Sequence, residues 1–90
     1  MFYVYVLFSI KDKRLYIGST NNLKRRFSQH NAGGVKSTTT RRPLKIIYYE
    51  SYLHRSDAER REKFLKGGKG RGELKIQLRD CFDKLDYRFR

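Results

Sequence analysis

Ninety residues with 22 Lys and Arg against nine Asp and Glu, a formal net charge of +13, fit one small domain spanning 1–90 and exclude a second core. A solitary cysteine, Cys81, excludes a disulfide framework and any cysteine-based zinc site. No apolar run approaches the ~20 residues of a membrane span, and Met1-Phe2-Tyr3 enters a strand-like segment directly, so a soluble cytoplasmic domain without a signal peptide is expected.

Phe2 to Phe8 is dense in β-branched and aromatic residues and reads as a strand. Lys11-Asp12-Lys13 is a polar turn, and Arg14-Leu15-Tyr16-Ile17-Gly18 reads as the second arm of a hairpin. If the connection holds an even number of residues, Tyr5 and Tyr16 point to one face, within diagonal reach of each other. Ser19-Thr20-Asn21-Asn22 offers caps for a helix over Leu23–His30, which Asn31-Ala32-Gly33-Gly34 ends. A basic, hydroxyl-rich loop follows from Lys36 to Pro43. Leu44 to Tyr49 reads as a third strand, apolar at successive positions and so expected to be covered on both faces. A second helix is expected from Ser56, its cap, through Lys66. The Gly67–Gly72 segment reads as a break, although Lys69 and Arg71 between its glycines suit a backbone phosphate. It lacks the strand and the Lys-Ser/Thr pair of a phosphate-binding loop. Glu73 to Leu85 is expected to form one helix with Leu74, Leu78, Cys81, Phe82 and Leu85 on its apolar face. The order β-β-α-β-α-α predicts an α+β fold, a small three-stranded antiparallel sheet flanked by helices.

The charge excess favours a polyanionic partner. Cations run from Lys11 to Arg90 in a chain that carries thirteen Phe and Tyr, a mixture that suits phosphates and bases better than a membrane surface. Several polar groups also sit where a core is expected. On the first helix Leu23, Phe27 and His30 share a stripe with Arg26 beside it, while Lys24 and Arg25 point away. On the second, Ala58, Glu62 and Leu65 form the packing stripe. An ionised carboxylate there costs several kcal/mol unless compensated. An ion pair with Arg26 or Arg61, hydrogen bonds or a metal ion would each serve. Tyr5 and Tyr16 are compatible with plain packing between sheet and helix. A chain this small can ill spare two tyrosines, an arginine, a histidine and a glutamate from its core, so a shared site is the simpler explanation.

These residues resemble a GIY-YIG nuclease domain. Tyr3-Val4-Tyr5 stands where the family's first tripeptide stands and Tyr16-Ile17-Gly18 matches the second, with Tyr5 and Tyr16 eleven positions apart. Arg26 follows Gly18 by eight positions, and the likeness continues through His30-Asn31, Arg41-Arg42-Pro43, Tyr48-Tyr49-Glu50 and Ser56-Asp57-Ala58 to Glu62. The closest look is to small stand-alone bacterial members related to the incision domain of the DNA-repair enzyme excinuclease C. The pattern departs at Tyr3, where the name-giving glycine is expected, and a late supporting asparagine has no counterpart after Lys66.

The resemblance implies a metal-dependent endonuclease acting on DNA rather than RNA, structure-dependent or non-specific. By it, Tyr5 and Tyr16 hydrogen-bond or help deprotonate the attacking water, and His30 assists. Arg26 holds the scissile phosphate, and Glu62 holds one Mg2+ or Mn2+ ion. Lys24, Arg25, Lys36, Arg41, Arg42, Lys69 and Arg71 are the expected strand-holding cations. The rival reading is a non-catalytic, basic nucleic-acid-binding module of the same fold, indifferent to metal and to Glu62→Gln.

Overall fold

Alternation along the first strand sends Phe2, Val4, Val6 and Phe8 to one face of a sheet and Tyr3, Tyr5 and Leu7 to the other. In the computed structural model, which describes residues 1–87, β1 (Phe2–Ser9) and β2 (Leu15–Thr20) form the expected hairpin. Arg90, the far end of the cation span, lies outside the described residues. After β2 come α1 (Leu23–Asn31), a short 3-10 turn (Thr39–Arg41), β3 (Leu44–Tyr52), α2 (Arg55–Lys66), α3 (Gly68–Gln77) and α4 (Arg79–Leu85). The fold is α+β, with a three-stranded antiparallel sheet in the order β2-β1-β3.

That order corrects one expectation. β1, not β3, is covered on both faces: it is buried from Val4 to Ser9, whereas β3 buries only Leu44. A central strand must be apolar throughout, and an edge strand is free to alternate. A bulge between Val6 and Leu7 adds a residue to β3 at Ile47.

Two cores result. Val4, Val6, Phe8, Leu15 and Ile17 pack against Ala58, Leu65, Leu74 and Phe82 from α2, α3 and α4. On the opposite face Tyr5, Leu7 and Leu44 pack against Leu23 and Phe27 of α1. Asn31 ties the two elements of this second layer, donating to the Leu44 carbonyl (3.1 Å) and accepting from its N–H (3.0 Å).

Of the four capping candidates Asn22 caps α1, accepting from Arg25 N–H at 3.0 Å, while Ser19 and Thr20 remain in the strand. Other boundaries differ from the sequence reading. The N-cap of α2 is His54 without a side-chain bond, and Ser56 lies inside the helix. The glycine-rich segment breaks α2 as expected, but at Gly67 alone (φ −89°, ψ 172°): Gly68, Gly70 and Gly72 belong to α3. A Cβ at Gly70 would collide with the Phe64 carbonyl and lie 2.5 Å from Leu65 Cα, so close packing of α2 and α3 demands glycine there. The helix expected over Glu73–Leu85 is two helices, parted at Leu78 (φ −110°, ψ 26°), yet Leu74 and Phe82 remain buried on one apolar side. No helix among the described residues is long and apolar enough to cross a membrane.

Candidate active site

Register brings the first two candidates together. Tyr5 pairs with Gly18 and Leu7 with Tyr16, so both tyrosines face α1 with ring centroids 6.3 Å apart, as an even connection requires. Tyr5 leans across its cross-strand partner. A Cβ on Gly18 would sit 2.6 Å from the Tyr5 hydroxyl and 3.1 Å from a Tyr16 ring carbon. Only a residue without a side chain leaves room for that ring.

His30, in the last turn of α1, is fully buried. Its Nε2 lies 2.8 Å from the Tyr5 hydroxyl, its Nδ1 lies 2.7 Å from Thr38 Oγ1, and its ring meets Tyr16 edge-on at 5.0 Å. Thr38 Oγ1 donates to the Val35 carbonyl at 3.5 Å. It therefore accepts from Nδ1–H, which leaves the Nε2 lone pair to accept the Tyr5 O–H. Burial, and then the charge of Arg26, push the imidazole down to about 4. Burial pushes Tyr5 up to about 12, although the Arg26 guanidinium beside it pulls the other way. At neutral pH both partners are uncharged. The Tyr16 hydroxyl, half-exposed, has no hydrogen bond among the described residues.

Arg26 sits one turn before His30, half-buried, with a side-chain bond to Gln29 Oε1 at 3.3 Å and its guanidinium beside the Tyr5 hydroxyl. Among the described residues no carboxylate pairs with it. Arg61, by contrast, is held by Glu50 (3.0 Å) and Glu73 (2.7 Å), and Arg41 by Asp12 (2.6 Å). The charge of Arg26 remains available to an anion.

Glu62 arrives from the other side of the sheet. Ser19 pairs with Val4 and so faces α2, where its hydroxyl donates to Glu62 Oε1. Lys66, one turn further along α2, donates to Oε2 at 2.7 Å. These replace the Arg26 or Arg61 partner considered from sequence. Burial works to raise the Glu62 carboxyl, but the bonds from Lys66 and Ser19 hold it below the usual carboxylate range. The side chain is ionised and half-buried. Because β2 is an edge strand, α1 and α2 reach its free edge from opposite faces. Between them a cleft of about 260 Å³ is lined by Ser19, Thr20 and Asn21, by Arg25, Arg26 and Gln29, and by Arg55 and Glu59.

No group of three or more His, Cys, Asp or Glu that could hold a metal occurs among the described residues. A cation caged by the protein is therefore not what this donor set fits. Glu62 does not itself line the cleft, but its partner Ser19 does, and one ionised carboxylate there fits a small hard cation that takes its remaining ligands from water and phosphate.

The expected strand-holding cations are not one patch. Arg25 lines the cleft, while Lys24 borders an adjoining apolar groove. Lys36, Arg42 and Lys69 are exposed, although Arg42 Nε donates to the Thr39 carbonyl at 2.8 Å. Arg41 and Arg71 line a cleft of about 700 Å³ at the hairpin turn, with Lys13 and Arg14. Arg41 is engaged there by Asp12 and donates to the Leu15 carbonyl at 3.2 Å.

Thr38, Ser19, Gln29, Arg55 and Lys66 were not singled out by the sequence. Period-two alternation puts Ser19 opposite Gly18, toward α2, and i, i+4 spacing pairs Lys66 with Glu62. Nothing local marks Thr38, whose role comes from the path of a loop.

The family model described as the GIY-YIG catalytic domain matches residues 1–75. The chain is 45% identical over 67 residues to a UPF0213 protein of Clostridium perfringens, covering 73% of this chain and 71% of that one. It is 43% identical over 75 residues to a UPF0213 protein of Staphylococcus haemolyticus (82% and 90% covered), and 44% over 77 residues to one of Pediococcus acidilactici (82% and 78%). These relatives carry the UPF0213 name and not that of an excinuclease. No solved structure matches the chain.

Proposed function

The chain belongs to the GIY-YIG catalytic-domain family, and from that premise we propose that it is a divalent-metal-dependent endonuclease, its 90 residues acting as one domain that hydrolyses DNA phosphodiester bonds. One observation carries the reading: a neutral, buried imidazole is hydrogen-bonded to a tyrosine hydroxyl beside an arginine that pairs with no carboxylate among the described residues.

Hydrolysis needs a water relieved of its proton and a phosphate whose growing charge is met. Tyr16, whose hydroxyl has no hydrogen-bond partner among the described residues, orients the attacking water. Tyr5, at about 12, is too weak an acid to stand ready as phenolate at neutral pH. It works as a relay: its oxygen takes the water's proton while its own passes to Nε2 of His30. Thr38 holds Nδ1–H in place, so the imidazole presents its lone pair to Tyr5. Arg26, fork-shaped and always charged, spans two phosphate oxygens as negative charge builds on them. Glu62, anchored by Ser19, would hold one Mg2+ or Mn2+ at the carboxylate that Lys66 now contacts through Oε2. Such an ion supplies Lewis-acid stabilisation of the departing oxygen. Arg25 and Arg55 on the walls of the same cleft hold flanking phosphates.

DNA is favoured over RNA by the motif likeness to the excinuclease C incision domain. Non-specific or structure-dependent cutting follows from a binding surface made of cations and aromatic rings. An arginine that meets transition-state charge is worth ~10³–10⁵ in rate in related phosphoryl chemistry. Single-turnover cleavage of labelled duplex, branched and single-stranded DNA should fall by that order in Arg26→Ala. Cleavage within a few-fold of the parent would refute the assignment. The ion pair between Lys66 and Glu62 supports a second reading, a non-catalytic binding module in which Lys66 permanently fills the carboxylate. That module would bind DNA equally with and without metal and leave it uncut.

A further inference from the structure

Beside the cleft, on the α1 face of the sheet, lies a groove of about 580 Å³ that the chemistry above does not use. Its walls are Tyr3, Tyr49, Leu23, Phe27 and Ile46, with Lys24 at the rim. Tyr3 occupies the position where the family's tripeptide has its glycine, and its ring forms one wall of the groove. Tyr3 and Tyr49 meet edge to face, with centroids 6.1 Å apart and planes at 66°. Such an arrangement leaves a ring face open, and Tyr49 is 56% exposed.

The groove is continuous with the candidate site in two ways. Asn21 lines both the groove and the cleft that holds Arg25 and Arg26. Tyr49 stands directly opposite Tyr5 in the β1–β3 register. A strand whose phosphate meets Arg26 thus has an aromatic slot beside it, with Lys24 at the slot's edge for a neighbouring phosphate.

Aromatic walls with cationic borders define the occupant. We infer that the Tyr3–Tyr49 groove seats an unpaired nucleobase of the bound strand, one stacked against Tyr49. The inference rests on the nucleic-acid substrate proposed above. A paired base keeps its faces within the duplex stack and cannot enter, so the slot selects single-stranded or frayed substrate. A second copy of the chain is disfavoured as occupant, because each would bring a net charge of +13.

The test measures equilibrium binding without added metal, so cleavage plays no part in it. A short labelled oligothymidylate and a duplex of the same length are titrated with the parent chain, Tyr49→Ala, Tyr49→Trp and Tyr3→Ala. Loss of one base–aromatic stack predicts single-strand binding weakened about 5- to 150-fold in Tyr49→Ala, with duplex binding changed less than about twofold. Tyr49→Trp should retain the single-strand preference, and Tyr3→Ala should lose part of it. Equal weakening of both probes, or no change in either, would overturn the inference. So would a change of oligomeric state in Tyr49→Ala by sedimentation, which would make the groove a protein contact. A chain that stacks bases but cuts nothing would sink the nuclease reading alone. An active nuclease whose single-strand preference ignores Tyr49 would sink the base slot alone.

Discussion

Acidification from pH 7 to 4.5 is expected to destabilise the fold through one buried side chain. In the unfolded chain His30 titrates near its ordinary 6.5, whereas burial and the charge of Arg26 lower it to about 4 in the folded protein. Between those values the unfolded chain holds a proton that the native state refuses, so acid favours unfolding. The contribution is fully present above 6.5 and is lost as the pH falls through 4. A shift of that size corresponds to about 3 kcal/mol, of which about 2.5 kcal/mol is lost before pH 4.5. Asp12, Glu50 and Glu62 do not confuse this window. Burial acts to raise all three, but hydrogen bonds from Arg41, from Arg61, Tyr52 and Tyr48, and from Lys66 and Ser19 hold them below their ordinary values of 3.8 and 4.5. Urea unfolding at stepped pH, followed by circular dichroism, reads the slope in the parent and in His30→Gln. The parent should lose stability steadily from pH 6.5 downward, and the variant should be nearly flat to 4.5. A flat parent, or an equal slope in the variant, would refute the buried neutral imidazole.

Other consequences follow from the same geometry. Gly18→Ala places a methyl 2.6 Å from the Tyr5 hydroxyl, which must then leave His30; cleavage should fall by ~10²-fold or more with circular dichroism unchanged. Thr38→Val removes the acceptor of His30 Nδ1–H at a cost of ~1–3 kcal/mol, and nitrogen-15 shifts of the imidazole should show the tautomer mixing, with Thr38→Ser restoring it. An unchanged tautomer in Thr38→Val would reverse the assigned direction of the relay. With Arg25, Arg26 and Arg55 in the cleft and Lys24 at the neighbouring groove, about four phosphates are met, so DNA affinity should fall by ~10² between ~50 and ~200 mM salt. A flat salt response would dissolve that footprint.

Where the chain's periodicity speaks, the sequence is a good guide. The shared face of Tyr5 and Tyr16 follows from counting residues in a hairpin, and the inward turn of His30 and Glu62 from helical spacing. The same arithmetic is blind to what stands on the far side of an element. It does not distinguish a central strand from an edge strand, so the apolar run of β3 suggests two covered faces when only β1 has them. The glycines from 67 to 72 signal a break because propensity counts what a residue costs a helix, and the break is there, but it is Gly67 alone. Gly70 continues into a helix, a glycine there because the neighbouring helix leaves no room for a side chain. Glu62 illustrates the same limit: its need for a partner is legible, but the choice of Ser19 and Lys66 over an arginine is decided by which face each strand residue meets. Thr38 reaches His30 through a loop whose course no local pattern encodes.

The decisive measurement is cleavage of labelled branched and single-stranded DNA over a titration of Mg2+ and Mn2+, comparing the parent chain with Glu62→Gln at matched DNA occupancy. A hydrolytic site spread across the β2 edge predicts that the parent cuts only with added metal and that Glu62→Gln binds as well but does not cut. Cutting by both proteins, or metal-independent binding without cutting by either, would contradict it.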